Sequence, residues 1–194
     1  MKRTPDPLIA LKKQIVAEVN QVYADLAERE KTSHAFERNC TGIAECCHFI
    51  LTGATPYLTK GEALVAAKAF RASGRTKLPE TDGDACPFLN KERKSPRASE
   101  NPNEGQPIRM GGGQCMIYKD RPFGCRTHFC DGAGGPYARR DLVDLIQRLE
   151  AIDLKLEKGK QRGGRHGHHG PTALPQAVGE ALNEESGTRG PHAF

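Results

Sequence analysis

Apolar residues near the start of the chain recur every three or four positions: Leu8, Leu11, Ile15, Val19, Val22 and Leu26 form one stripe. That is the spacing of an amphipathic helix. Asp6 followed by Pro7 suits its opening, because a carboxylate accepts from orphan amides and proline fits the first turn. The helix is expected to run to about Arg29 and to cover the core. A second helical segment starts at "TKGEALVAAKAF", where Thr59 and Glu62 stand at capping-box spacing, and is expected to end near Gly74. A third, about Arg139 to Lys158, carries Leu142, Leu145, Leu149, Ile152 and Leu156 on one face. Its stripe matches that of the first, so the two are expected to pack side by side, with too few heptads for a sustained coiled coil.

Between the helical segments the pattern changes. "HFILTG", His48 to Gly53, is an apolar run too short for a helix and reads as a strand. Residues 91–113 are rich in Pro, Gly, Ser and charge, with no period of two or 3.6, and are expected to form a flexible loop. The apolar segments on its two sides, "CPFLN" and "QCMIYKDRP", could pair as an antiparallel hairpin and bring Cys86 close to Cys115. After Gly159 the chain is dominated by Gly, His and charge. It reads as a mostly disordered tail with a brief helix around Gln176 to Leu182.

The expected fold class is therefore α+β, mainly helical: an irregular cysteine-rich, metal-bound core with a short β-hairpin, flanked by amphipathic helices. The divisions are an N-terminal helix over 1–36, a cysteine-cluster domain over 37–135, a packing helix over 136–160 and a disordered tail over 161–194.

Composition narrows the reading. With 194 residues, 37% hydrophobic and no Trp, one domain with a lean core is expected, so something besides burial should help hold it together. A net charge of +5, spread thinly, favours solubility over a dedicated nucleic-acid face. Lys12 and Lys13 interrupt any apolar leader, and nowhere do roughly 18 apolar residues run together. A cytoplasmic location and no membrane span are the expectation, and there thiols stay reduced.

The seven cysteines, Cys40, Cys46, Cys47, Cys86, Cys115, Cys125 and Cys130, all lie in the middle of the chain. An odd number in a reducing compartment reads as metal or redox chemistry rather than disulfides. Thiolates are soft and anionic, and four of them satisfy a tetrahedral ion. The adjacent Cys46 and Cys47 are poor partners for one another in a disulfide. On an extended backbone they would face opposite ways, one for each of two centres, or one ligating while the other packs.

Around these residues the chain resembles a known family. Cys40, Cys46 and Cys47 follow the C-x2-C-x2-C-C signature of the zinc- or iron-chelating cysteine-cluster proteins called the YkgJ family, with Ile43 where the second cysteine would stand. "CPFL" at Cys86 to Leu89 and "CMIYKDRPFGCR" at Cys115 to Arg126 resemble the later elements of that family, in order. The resemblance covers about Cys40 to Cys130 and implies metal binding through Cys40, Cys46, Cys47, Cys86, Cys115 and Cys125. Cys130 extends the set by its spacing from Cys125. A similar arrangement in flagellin lysine N-methylases keeps open an iron–sulfur enzyme acting on a protein substrate.

Two ligand counts are open. Two four-coordinate zinc ions need eight ligands, which seven cysteines and one imidazole, His48 or His128, would supply. One cubane iron–sulfur cluster needs four cysteines. Arg121 and Arg126 could offset the negative charge of such a site or serve structure alone. His166, His168 and His169, with glycines around them, are unorganised. No phosphate loop, nucleophile elbow or His-Glu-x-x-His is present. Catalytic residues are thus unassigned. The leading expectation is a metal-binding protein with a mainly structural or chelating centre of zinc or iron; a protein partner is compatible with it. A nucleic-acid adaptor using Arg162 to His169 as a basic arm is the least favoured reading.

Overall fold

The computed structural model describes residues 6–33, 38, 45–53, 55–81, 83–92, 113–129, 134–161 and 171–187. Its architecture is α+β and mainly helical. Helix α1 spans Pro7–Thr32, and Asp6 caps it by accepting from the Leu8 amide at 2.8 Å. Ile15, Val19, Val22 and Leu26 are buried as their spacing requires, and Tyr23 joins them. Each fully buried aliphatic side chain contributes roughly 1.5–3 kcal/mol.

Helix α3, Lys60–Ala72, is the centre of the molecule, with α1, α5 (Val143–Gln161) and α6 (Leu174–Gly187) packed on it. Its small residues make this three-sided burial feasible: Ala63, Ala66 and Ala67 are almost fully enclosed. A Cβ on Gly61 would meet Val19 Cγ2 at 3.1 Å and Ile15 Cγ2 at 3.2 Å, so glycine lets α1 come close. The expected capping box is formed in both directions between Thr59 and Glu62. From α5, Asp153 Oδ1 adds a third cap by accepting from the Gly61 amide at 3.0 Å.

Helix α5 lies antiparallel along α1. Leu142, Leu145, Leu149, Ile152 and Leu156 are buried, and the ion pairs Lys155–Glu18, Arg148–Asp25 and Arg29–Asp144 bridge the two helices along their length. Its start is preceded by a 3-10 turn at Arg139–Asp141.

Two pairs of short strands complete the described residues. Strand β2 (Leu89–Asn90) pairs antiparallel with β3 (Gln114–Cys115), placing Leu89 opposite Cys115. A Cβ on Gly113, whose φ is +130°, would meet Leu89 Cδ1 at 2.7 Å and Asn90 O at 2.8 Å, so only glycine fits there. Most of the 91–113 loop lies outside the described residues.

Two expectations are corrected. "HFILTG" is not a strand: Phe49–Thr52 is one helical turn, α2, closed by Gly53 at φ +63°, whose amide donates to Phe49 O at 2.8 Å. Only Phe49 of that run is buried, while Ile50 and Leu51 are exposed. Nor is the described part of 161–194 a mostly disordered tail with only a brief helix: the helix expected around Gln176 to Leu182 is present and runs over Leu174–Gly187. Strand β4 (Thr172–Ala173) pairs antiparallel with β1 (Tyr57–Leu58), and α6 follows at once. Leu174, Ala177, Val178, Ala181 and Leu182 are buried at helical spacing, and Arg71 Nη2 donates to Leu182 O at 2.6 Å. The alanines in that stripe weaken its apolar signal, and the preceding glycine-rich stretch suggests disorder.

Candidate metal centre

Five of the seven cysteines fall within the described residues. Cys40 and Cys130 lie outside them, as do Ile43, Arg162, His166, His168 and His169. Cys46, Cys47, Cys86, Cys115 and Cys125 are all thiols rather than disulfides.

The scaffold brings these five from four places. Cys46 and Cys47 end a 3-10 turn at Glu45–Cys47; Cys86 precedes β2; Cys115 ends β3; and Cys125 sits on α4, the five-residue helix Phe123–Thr127. Backbone bonds fix the arrangement: the Cys86 amide donates to Cys47 O at 2.7 Å, the Leu89 amide to Cys86 O at 2.9 Å and the Met116 amide to Phe88 O at 2.8 Å. The adjacent pair does not split between two faces. A 3-10 turn replaces the extended backbone that would have separated them, and a side-chain hydrogen bond joins their sulfurs.

The sulfurs lie within electrostatic reach of one another. That bond to Cys46 is the first cause of a strongly raised Cys47 pKa, followed by burial and by charge on Cys46, Cys86 and Cys115. Burial pushes the Cys86 thiol up to about 12, against a bond from the Phe88 amide that favours the thiolate; Cys115 and Cys46 add to the rise. Burial likewise raises Cys115, against a bond from the Ile117 amide and the Arg121 charge, with Cys46 adding to it. Cys125 is raised by burial, then by Cys86, Cys46 and Cys115, against Arg121. Cys46 and Cys115 each interact electrostatically with all four other thiols.

Cys86 and Cys115 share a local design. Each receives an N–H bond on sulfur from the residue two positions on, Phe88 and Ile117. An amide aimed at sulfur stabilises a thiolate and has no comparable use for a neutral packing thiol. The hairpin thus presents two such turns side by side.

Positive charge and aromatic rings surround the group. The Arg121 guanidinium stacks on Tyr118 at 4.3 Å and offsets charge at Cys115 and Cys125. Arg126 acts structurally, lying over the Tyr23 ring at 4.2 Å and donating to the carbonyls of Arg121, at 2.8 Å, and Lys119. Next to Cys47, His48 has a buried Nε2 with no hydrogen-bond partner. Buried polar atoms are nearly always satisfied, so an orphaned imidazole nitrogen on the residue after Cys47 calls for an explanation.

The donors fit a thiophilic cation in kind: soft sulfurs, amides aimed at two of them, a nearby guanidinium and an orphaned imidazole nitrogen. Among the described residues, however, no three Cys, His, Asp or Glu side chains are gathered as a ready ligand set. Closure of the sulfurs around an ion would have to accompany its binding.

Several long-range contacts that organise this region carry no local sequence signal. Buried Glu62 accepts at Oε2 from the Thr59 amide (3.1 Å) and hydroxyl (3.2 Å), and at Oε1 from the Phe123 amide (2.8 Å) and the Tyr23 hydroxyl (3.3 Å). Burial raises its pKa against those bonds. Arg38 donates to Gly135 O at 3.0 Å and stacks on Tyr137 at 5.1 Å; Tyr137 in turn donates to Glu30 at 3.0 Å and packs on Phe129. These contacts tie the chain before the cysteine segment to the chain after it.

Comparison of the chain with family models, curated proteins and solved structures finds no match. No helix among the described residues is long and apolar enough to cross a membrane.

Proposed function

We propose that this protein is a metal-binding protein of the YkgJ type, in which the clustered cysteines hold zinc or iron, the iron as an ion or an iron–sulfur cluster. The centre is mainly structural or chelating. The observation that carries the reading is the convergence of Cys47, Cys86 and Cys115 from separate segments: the Cys86 amide donates to Cys47 O at 2.7 Å, and the hairpin sets Leu89, three residues after Cys86, opposite Cys115. A buried group of thiols whose ionisation is this unfavourable is poor at thiolate chemistry on its own, whereas a bound cation would deprotonate and neutralise it.

His48 Nε2 is the nitrogen donor of this reading, being buried and unpartnered beside Cys47. Arg121 supplies the compensating positive charge. The reading also places the protein in a reducing, cytoplasmic compartment, where the sulfurs stay available to metal.

Anaerobic purification followed by elemental analysis and a visible spectrum tests it. Stoichiometric zinc in a colourless protein, or iron and sulfide in a brown one, is the expected result; a chain that carries neither and binds neither on reconstitution overturns it.

A further inference from the structure

We propose that Glu62, on the central helix α3, is the positioning residue for the metal centre: its carboxylate holds the start of α4, and with it Cys125, in place for the other thiols. The inference rests on the metal-binding reading above and extends it to a residue with no metal-ligating part.

Geometry separates the two halves of this carboxylate. Oε2 faces α3's own N-terminus through Thr59, as any capping box does. Oε1 reaches 61 positions along the chain to the amide of Phe123, the first residue of α4. Helix α4 has only five residues, and its preceding residue, Pro122, contributes no side-chain cap. So short a helix has little stability of its own and takes its position from what binds its ends. Glu62 supplies that bond from the most enclosed part of the fold. Tyr23 donates to the same oxygen, and its ring lies under Arg126, the residue after Cys125. One carboxylate therefore joins α1, α3 and α4, and α4 is where the helical core meets the thiol group.

Asp153 provides a matched comparison, since it also caps α3, at Gly61, from a buried position. That bond joins α5 to α3 and leaves α4 aside. The experiment compares Glu62→Ala with Asp153→Ala in the full-length protein, measuring thermal melting and, separately, zinc transfer to a chromogenic chelator and the Co(II) absorption of the refilled site. Both variants are expected to melt below wild type. Only Glu62→Ala is expected to lose zinc faster, by roughly 10-fold or more, the usual scale for groups that orient metal ligands, with a changed Co(II) spectrum. Equal zinc loss in the two variants at equal loss of melting temperature overturns the proposal.

Should Glu62→Ala not fold, amide exchange in the wild-type chain decides. Coupling is reciprocal, so stripping zinc is expected to expose the Phe123 amide while leaving the Gly61 amide protected; unchanged protection at Phe123 overturns the proposal. A wild-type chain that takes up neither zinc, Co(II) nor iron with sulfide overturns the metal-binding reading itself and this inference with it.

Discussion

The guanidinium of Arg126 lies over the ring of Tyr23 at 4.2 Å, and the Tyr23 hydroxyl donates to Glu62. This stack fastens the cysteine segment to α1. Burial lowers the Arg126 pKa, with the charges of Asp120 and Glu30 acting against that. Arg126→Ala removes the stack and leaves the carbonyls of Lys119 and Arg121 without this donor. It is expected to cost about 1–3 kcal/mol in urea unfolding. Arg126→Lys should recover only part of the loss, because an ammonium cannot stack flat and fork to two carbonyls.

Helix α6 makes a sharper test of the fold. Leu174 is fully buried at its first position, and its amide donates to Pro56 O at 2.8 Å. Leu174→Ala is expected to destabilise the protein by about 2–5 kcal/mol, measured by chemical denaturation. A change within roughly 0.5 kcal/mol, the size usual for surface substitutions, would mean that the segment is not packed on α3.

The bridges between α1 and α5 carry a pH signature. Glu18, Asp25 and Asp144 have lowered pKa values, each owing first to a side-chain hydrogen bond, from Lys155, Arg148 and Arg29 respectively. A carboxyl depressed in the folded state contributes stability above its unfolded pKa and loses it as pH falls through the folded value. Burial raises Glu62, which works in the opposite sense and would mask this in the wild type alone. The difference between wild type and Arg148→Met cancels that background. It is expected to be about 0.2–1 kcal/mol at pH 7, as for exposed pairs, and to close as the pH drops below about 4. A difference that persists at about pH 2, below the ordinary carboxylate range, would point to packing by the Arg148 stem instead.

The legible and illegible parts of this chain divide along physical lines. Helices α1, α3 and α5 announce themselves because their buried faces repeat locally, and the Thr59–Glu62 capping box is a contact between near neighbours. The pairing of "CPFLN" with "QCMIYKDRP" is readable because turn-rich sequence separates two apolar runs. Local pattern fails at "HFILTG", where a short apolar run has no partner strand among the described residues and Gly53 closes a helical turn instead. It reaches only the middle of α6: the expected helix at Gln176 to Leu182 is there but runs over Leu174–Gly187, its face being part alanine. Long-range polar contacts leave no trace at all: nothing near Glu62 points to Phe123, and nothing near Asp153 points to Gly61. At the candidate centre, the cysteines are visible as a group, and the way the chain brings them together is not. That arrangement depends on a 3-10 turn where the sequence suggests an extended pair, and on the bond from the Cys86 amide to Cys47 O.

His48 offers the most direct test of whether the thiol group is a metal site. Its Nε2 is buried without a partner, next in sequence to Cys47. Two physical outcomes follow from replacing it with leucine. If the nitrogen only packs, His48→Leu removes an unsatisfied polar atom, and stability should hold or rise, because deleting a buried group that has no partner is close to neutral. If the nitrogen ligates, the same substitution removes one donor from a mixed sulfur–nitrogen set and leaves the sulfurs to hold the ion alone. The expected result is the second: faster loss of bound metal to chelator, with the Co(II)-loaded form showing a changed ligand-field pattern. Cys86→Ser serves as the reference, since it weakens the site through sulfur. A His48→Leu protein that keeps its metal as long as wild type, with the same Co(II) spectrum, would assign the imidazole to packing.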